Sequence, residues 1–256
     1  MKFVFDVDGT ISFDGRSIDP RIIQVMKKLP GTPQDIVFAS ARPIRDLLPM
    51  VGDLATSPLI GGNGVIISLS NEVKVVAPIA DGDYRLIRQI ITSGNTDYIV
   101  DSKWDYSARV SQNSFILRQL DPDHLAHKVA LTAINQAIKV ILLNLTKEQQ
   151  DAIATTLKKH TNLAIINDPS EHNLDLTAQG INKYTTLRKL FPAEKYVAFG
   201  NDANDVELLA HADKSVWIGD ELPVGMQAPN FQFAGNIASV IEAVARIGTM
   251  ASKTSC

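Results

Sequence analysis

Short apolar runs alternate along the chain with stretches whose apolar positions recur at helical spacing. Lys2-Phe3-Val4-Phe5 reads as a buried strand that runs straight into Asp6-Val7-Asp8-Gly9-Thr10. Asp19-Pro20 has the form of an N-cap with proline at the first helical position, and Ile22, Ile23, Met26 and Leu29 continue as one helical face. Ile36-Val37-Phe38-Ala39 is a second apolar strand, followed by Ser40-Ala41-Arg42-Pro43 and a helix through Leu47 and Leu48. Pro58-Leu59-Ile60 passes through Gly61-Gly62-Asn63-Gly64 into Val65-Ile66-Ile67, which reads as one strand broken by a glycine-rich kink. Strand and helix in this alternation predict a parallel sheet with helices on its faces.

The middle of the chain has another texture. Tyr98-Ile99-Val100 and Ser114-Phe115-Ile116-Leu117 read as paired strands. Two helix-then-strand units follow. Asp121-Pro122 caps a helix carrying Leu125, Val129 and Ile134 ahead of Val140-Ile141-Leu142-Leu143. Thr146 and Gln149 have capping-box spacing, Ile153 and Leu157 mark an apolar helix face, and Leu163-Ala164-Ile165-Ile166 is the next strand. This block, 81–172, is expected to form its own small α+β domain between core segments 1–80 and 173–256. The last third returns to the first pattern. Gly180-Ile181-Asn182-Lys183 opens a helix, Tyr196-Val197-Ala198-Phe199 is an apolar strand ending in Gly200-Asn201-Asp202-Ala203-Asn204-Asp205, and Val216-Trp217-Ile218 is a further strand. A helix over 237–247 closes the fold, and the tail 251–256 is expected to be disordered.

Bulk properties narrow the function. The 256 residues suffice for a large core, and a net charge of −3 without any Lys/Arg block argues against a nucleic-acid partner. Cys256 is the only cysteine, so no disulfide framework or cysteine metal site is expected. No apolar run approaches the roughly 20 residues of a membrane span, and Asp6 and Asp8 interrupt any signal-like start. A cytoplasmic protein without a membrane partner is expected, as a monomer or weak homodimer.

Several strands end in polar residues that one site could share: Asp6 and Asp8, Ser40, and Asn201, Asp202 and Asp205, with Lys183 at a helix start on the same rim. Carboxylates at the carboxyl ends of adjacent parallel strands face the crevice where such folds bind ligands. Converging acids repel unless a cation neutralises them. Oxygen ligands without His or Cys suit Mg²⁺. A lysine, a hydroxyl and backbone N–H groups beside that ion make a receptor for a phosphoryl group.

These residues resemble the haloacid dehalogenase superfamily, in its Cof-type branch (subfamily IIB). Asp6-Val7-Asp8-Gly9-Thr10 matches the family's Asp-x-Asp-Gly-Thr motif, Ser40 before Arg42-Pro43 its second motif, Lys183 its third, and Gly200-Asn201-Asp202-Ala203-Asn204-Asp205 its fourth. Asn63-Gly64 resembles the Asn-Gly pair that this branch carries before an inserted domain. The resemblance implies an α/β fold: a Rossmann-like three-layer parallel-sheet core with an inserted α/β cap domain that sets substrate specificity. It implies a Mg²⁺-dependent phosphatase acting on a small phosphorylated metabolite, such as a sugar phosphate, through an aspartyl-phosphate. Asp6 would be the nucleophile and Asp8 the general acid/base. Gly9, Thr10, Ser40, Ala41, Lys183 and Asn204 would bind phosphate. Asp6, Asp8 and Asn201 would hold the metal, with Asp202 and Asp205 as alternative or supporting residues.

The fourth motif departs from the family pattern, because Asn201 stands where most relatives carry an aspartate. Either the Asn201 side-chain oxygen serves as a neutral ligand, or Asp202 moves onto the metal. The spacing of Asn201 to Asp205 favours the former. Arg42, Asn63, Arg109 and His172 are candidate substrate contacts. Alternative readings are a phosphomutase or phosphotransferase of the same superfamily, and a non-catalytic regulator that binds a phosphorylated ligand.

Overall fold

The computed structural model describes residues 1–111, 115–168 and 172–254. The chain opens with β1 (Lys2–Phe5), α1 (Pro20–Met26), β2 (Ile36–Ala39), α2 (Ile44–Val51), β3 (Leu59–Gly61), β4 (Ile66–Leu69) and β5 (Glu72–Val75). The Asp19 carboxylate accepts from Arg21 N ahead of Pro20, so α1 starts as its sequence predicts. A second unit follows with α3 (Asp81–Ser93), β6 (Asp97–Asp101), β7 (Tyr106–Arg109), β8 (Lys139–Leu143), α4 (Lys147–His160), β9 (Leu163–Asp168) and β10 (Asn173–Ala178). The chain then returns through α5 (Lys183–Leu190), β11 (Tyr196–Gly200), α6 (Val206–Ala210), β12 (Lys214–Ile218), β13 (Phe231–Phe233) and α7 (Ile237–Thr254).

The first sheet has the order β13-β12-β11-β1-β2-β3-β4-β5. Its strands from β13 to β3 are parallel, and β4 and β5 are antiparallel. Central strands β1, β2 and β11 are buried on both faces, which explains why they are apolar apart from Lys2 at the start of β1. On one face Phe3, Phe5, Phe38 and Phe199 pack with Ile22 and Met26 of α1, Leu47 of α2 and Val244 of α7; Phe5 and Phe199 stack 4.4 Å apart. On the other face Val4, Val37 and Ala198 meet Leu187 of α5 and Leu208 of α6. This is the expected three-layer arrangement.

The glycine-rich segment is not a kink in one strand. β4 runs antiparallel to β3, with Ile60 opposite Ile67. The reversal is made at Gly62, Asn63 and Gly64, all with positive φ. At Gly64, φ is +108 and a Cβ would collide with the Asn182 carbonyl, so the turn packs against the start of α5.

The second sheet is antiparallel, in the order β7-β6-β8-β10-β9. One face buries Tyr98, Val100, Val140, Leu142, Leu174 and Leu176 under Tyr84, Ile87 and Ile91 of α3 and Ala154 and Leu157 of α4. The Thr146–Gln149 capping box opens α4 as expected. The opposite face is turned to the first sheet. Three expectations fail here. The sheet ends at Ala178, so the boundary expected at 172 falls before its last strand. Phe115–Arg118 is a 3₁₀ turn rather than a strand, and Ser114 lies outside the described residues. No α-helix forms over 122–134. Asp121 and His124 take positive φ, and Val129 N donates to Tyr106 O, so this segment lies along β7 instead. Tertiary pairing outweighs a weak helical pattern there. At the end of the chain α7 continues to Thr254, against the expectation of disorder from 251, while Cys256 lies outside the described residues. Among the described residues no helix is long and apolar enough to cross a membrane.

Candidate active site

The carboxyl ends of β1, β2 and β11 adjoin, because β1 pairs with both neighbours in parallel register. Asp6 follows β1 directly, and its N–H donates to Phe199 O, the last ladder bond before the strands part. Asp6 is buried at 4% exposure. Its Oδ1 accepts from Lys183 Nζ at 2.6 Å, and its Oδ2 from Thr10 Oγ1 at 2.8 Å. Lys183, in the first turn of α5, also donates to Asp205 Oδ1 at 2.7 Å and Asn204 Oδ1 at 3.0 Å. The second oxygen of Asp205 accepts from the backbone N–H groups of Asn201 and Asp202. Lys183 and Asp205 thus join three segments far apart in sequence into one buried network.

Charge in that network is finely divided. Burial is the main cause that raises the Asp6 carboxyl, and Asp205 adds to it, so the group is pushed up to about 7 despite Lys183. Burial works against the Lys183 ammonium, but Asp205 and Asp6 outweigh it and raise its pKa. Lys183 therefore stays charged, and ionising Asp6 beside Asp205 sets two buried carboxylates against one ammonium. A second cation would be stabilised here.

The structure has residues that could receive one. The Asn201 amide lies 3.1 Å from Asp6 Oδ2, 3.0 Å from the Asp8 carbonyl oxygen and 2.9 Å from Thr10 Oγ1, and its nitrogen donates to all of them in the orientation the network favours. Turned over, the same amide presents Oδ1 beside those oxygens. A carboxylate, a backbone carbonyl and an amide oxygen suit a hard divalent cation that keeps several waters. Among the described residues no group of at least three His, Cys, Asp or Glu side chains could hold a metal. Asn201, not Asp202, touches Asp6 and Asp8. The Asp202 carboxylate instead caps the following turn through Ala203 N at 2.6 Å. Asp205 is fully buried and engaged through both oxygens, so it positions the loop and Lys183.

Gly9 has φ of +78, and a Cβ there would collide with the Asn201 amide. The backbone thus turns where Asp8 must hand its carbonyl to that amide. The Gly9 N–H donates to Ser12 O, the Thr10 N–H to Val7 O, and the Thr10 hydroxyl to Asp6. These donors are engaged inside the loop.

Ser40 follows β2 and is buried; its Oγ accepts from Arg42 N at 3.0 Å, which leaves its proton for another acceptor. Arg42 forks onto Asp8, Nε to Oδ2 at 2.7 Å and Nη2 to Oδ1 at 2.6 Å. Asn63 is buried beside Ser40, with its N–H on Ser40 O and its Oδ1 without a hydrogen-bond partner. A cavity of about 530 Å³ opens above Asp6 and Asp8 and is lined from below by Ala41, Arg42, Asn201 and Asn204.

Two candidate contacts lie away from it. Arg109 donates to Thr96 O at 2.6 Å and covers Tyr98, tying β7 to the end of α3. His172 is exposed at the β9–β10 turn, within the second sheet rather than at its exit. Neither lines the cavity. Five lining or supporting residues escaped the sequence reading: Arg45, Asp46, Asp101, Lys139 and Asp175. Arg45 is 1% exposed and joins Asp46 beside it to Asp101 and the Trp104 carbonyl across the cleft. The period-two alternation of polar Asn173, Asp175 and Thr177 with Leu174 and Leu176 was the signal that marks a polar face on β10.

Solved structures share this fold. A haloacid dehalogenase-like hydrolase from Bacteroides thetaiotaomicron superposes with a TM-score of 0.78 at 18% identity, over 96% of this chain and 98% of its own. A haloacid dehalogenase subclass IIB sugar phosphatase gives 0.75 at 18%, over 97% and 99%. TM0651 from Thermotoga maritima gives 0.76 at 20%, over 96% and 97%. At these identities the likeness is one of fold. No curated protein matches the chain. The haloacid dehalogenase-like hydrolase family model matches residues 3–228, a span that contains the Asp6 loop, the second sheet, Lys183 and the 200–205 turn, and this chain belongs to that family.

Proposed function

We propose that this chain is a Mg²⁺-dependent phosphatase that hydrolyses the phosphate monoester of a small metabolite. One observation carries the reading: a buried carboxylate, Asp6, stands between Lys183 and the Asn201 amide at the floor of a cleft, with a second carboxylate, Asp8, beside it.

Asp6 attacks phosphorus through a carboxylate oxygen, the bond from phosphorus to the ester oxygen breaks, and an aspartyl-phosphate forms. Asp8 gives a proton to the departing alkoxide. It then takes one from the water that attacks the aspartyl-phosphate, and inorganic phosphate and the Asp6 carboxylate are regenerated. Lys183 holds Asp6 in place and offsets its charge. The free Ser40 proton and the Ala41 backbone supply donors for the phosphoryl oxygens. Asp6, the Asp8 carbonyl and Asn201 are the residues that would hold Mg²⁺, which supplies charge neutralisation between nucleophile and phosphate. The underside of the second sheet roofs the cleft above Asp6 and Asp8, which suits a small substrate.

Hydrolysis of p-nitrophenyl phosphate in Mg²⁺ tests this reading. Release of inorganic phosphate, abolished by a chelator and restored by Mg²⁺, is expected. Absence of turnover at any divalent cation would overturn it. Product analysis with a hexose phosphate separates the related mutase reading, which predicts an isomeric phosphosugar in place of free phosphate.

A further inference from the structure

The underside of the second sheet carries a group that the chemistry above does not use. Alternation along β8 and β10 puts Lys139, Ile141 and Leu143 on one face with Asn173 and Asp175, and these residues line the cavity. Lys139 is buried, with 6% of its side chain exposed. Its Nζ donates to Asp175 Oδ2 at 2.7 Å and to the Ala41 carbonyl at 3.2 Å. Ala41 lies between Ser40 and Arg42, so this ammonium ties the second sheet to the loop beside the reacting centre.

Packing alone does not call for an ammonium here. Burying an ion pair costs desolvation that a well-packed apolar pair avoids. Ile99, Ile141 and Leu143 already line the same roof and could close it over Ala41. The pair leaves hydrogen-bonding capacity next to the cavity. An ammonium has three donors, and the protein engages two of those of Lys139. Asp175 uses Oδ2 for Lys139 and keeps 24% of its side chain accessible. A donor and an acceptor side by side match a hydroxyl group, which both gives and takes a hydrogen bond.

Charge around the roof limits what else can bind. The acids Asp46, Asp101 and Asp175 face only Arg45 and Lys139, and both cations are already ion-paired. Among the described residues no further cation of the second sheet lines the cavity. A second phosphate or a carboxylate on the leaving group would meet carboxylates, while the lining cations Arg42 and Lys139 are each already paired with an acid.

We propose that Lys139 and Asp175 form the leaving-group subsite, and that they select an uncharged, hydroxylated leaving group over one with a second anionic group. Lys139 also registers the second sheet against the Ala41 carbonyl, so binding at this pair positions the phosphate over Asp6. The proposal rests on the phosphatase reading above.

The test compares wild type with Asp175→Asn and Lys139→Met on a hexitol monophosphate, a hexose bisphosphate, phosphoglycerate and p-nitrophenyl phosphate. Wild type is expected to prefer the hexitol monophosphate over both doubly charged substrates by about tenfold in kcat/KM. In each variant the ratio of kcat/KM for the hexitol monophosphate to that for the aryl phosphate should fall by about tenfold, mainly through KM. An unchanged ratio, or a wild-type preference for the bisphosphate, overturns the proposal. Calorimetry of the hexitol monophosphate with chelated protein provides an arm that needs no turnover. Both variants should bind it about tenfold more weakly. Equal affinity would overturn the subsite even if the wild type hydrolysed nothing, and absent hydrolysis with weakened binding would refute only the phosphatase reading. Circular dichroism of the isosteric Asp175→Asn variant checks that the fold is intact.

Discussion

Arg42 holds both carboxylate oxygens of Asp8, at 2.6 and 2.7 Å, while its Nη2 also donates to the Gly15 carbonyl at 2.8 Å. The guanidinium is a planar fork, so it fixes the direction of the Asp8 carboxylate. Arg42 was expected to touch substrate. It instead contacts the residue assigned to proton transfer, and it lines the cavity as well.

Replacing the fork by a point charge should therefore damage proton transfer more than binding. Arg42→Lys is expected to lower kcat by about 10- to 100-fold, with a smaller change in KM and an altered pH–rate profile. Steady-state kinetics across pH measures this. A variant with unchanged kcat and the wild-type profile would show that the fork only packs the loop.

The raised Asp6 pKa makes a signed prediction. The fold favours the protonated group, so that contribution to stability is complete below the ordinary carboxylate value and is lost as pH rises through about 7. A divalent cation on Asp6 replaces the proton and offsets the same repulsion. The gain in Tm on adding Mg²⁺ should be larger near about pH 8 than near about pH 6. Differential scanning fluorimetry at the two pH values reads it, and a gain that shrinks with pH contradicts the placement of the cation at Asp6.

Arg45 ties α2 to the second sheet through Asp101 and the Trp104 carbonyl. Its removal leaves Asp101, 3% exposed on its side chain, as a buried carboxylate without its partner. Arg45→Met should cost about 3–5 kcal/mol in urea denaturation, and adding Asp101→Leu should recover part of that loss. A single-variant cost below about 1 kcal/mol would place this pair among weak surface bridges.

Gly9 offers a backbone test. Its φ of +78 and the collision of any Cβ with the Asn201 amide make Gly9→Ala strained on two counts. A loss of about 1–3 kcal/mol is expected, together with a reduced Mg²⁺-induced Tm shift, because the amide must move from Asp6 and the Asp8 carbonyl. An undiminished Mg²⁺ shift would argue that Asn201 takes no part in the metal site.

Much of this molecule was legible because local signals and the fold agreed. Apart from Lys2 at the start of β1, the strands β1, β2 and β11 are apolar, as strands covered on both faces must be, and each ends in residues of the site. The caps at Asp19 and Thr146 set their helices where the pattern put them. Residues 122–134 were misread because the backbone at 127–129 pairs with Tyr106 of β7 while Val129, Leu131 and Ile134 pack in the second core, contacts that periodicity does not encode. The Gly61–Gly64 reversal was misread as a kink because a parallel sheet was expected to continue. Lys183, Asp6 and Asp205 carry motif spacing, whereas Lys139 and Asp175 carry only an alternation. Their partnership depends on how the second sheet sits over Ala41.

The central claim is that Asp6 is the nucleophile, and turnover of p-nitrophenyl phosphate by Asp6→Asn measures it most directly. The account predicts a loss of kcat by at least about three orders of magnitude, with the circular dichroism spectrum unchanged. A folded Asp6→Asn protein that hydrolyses the substrate at a rate near that of wild type would contradict it.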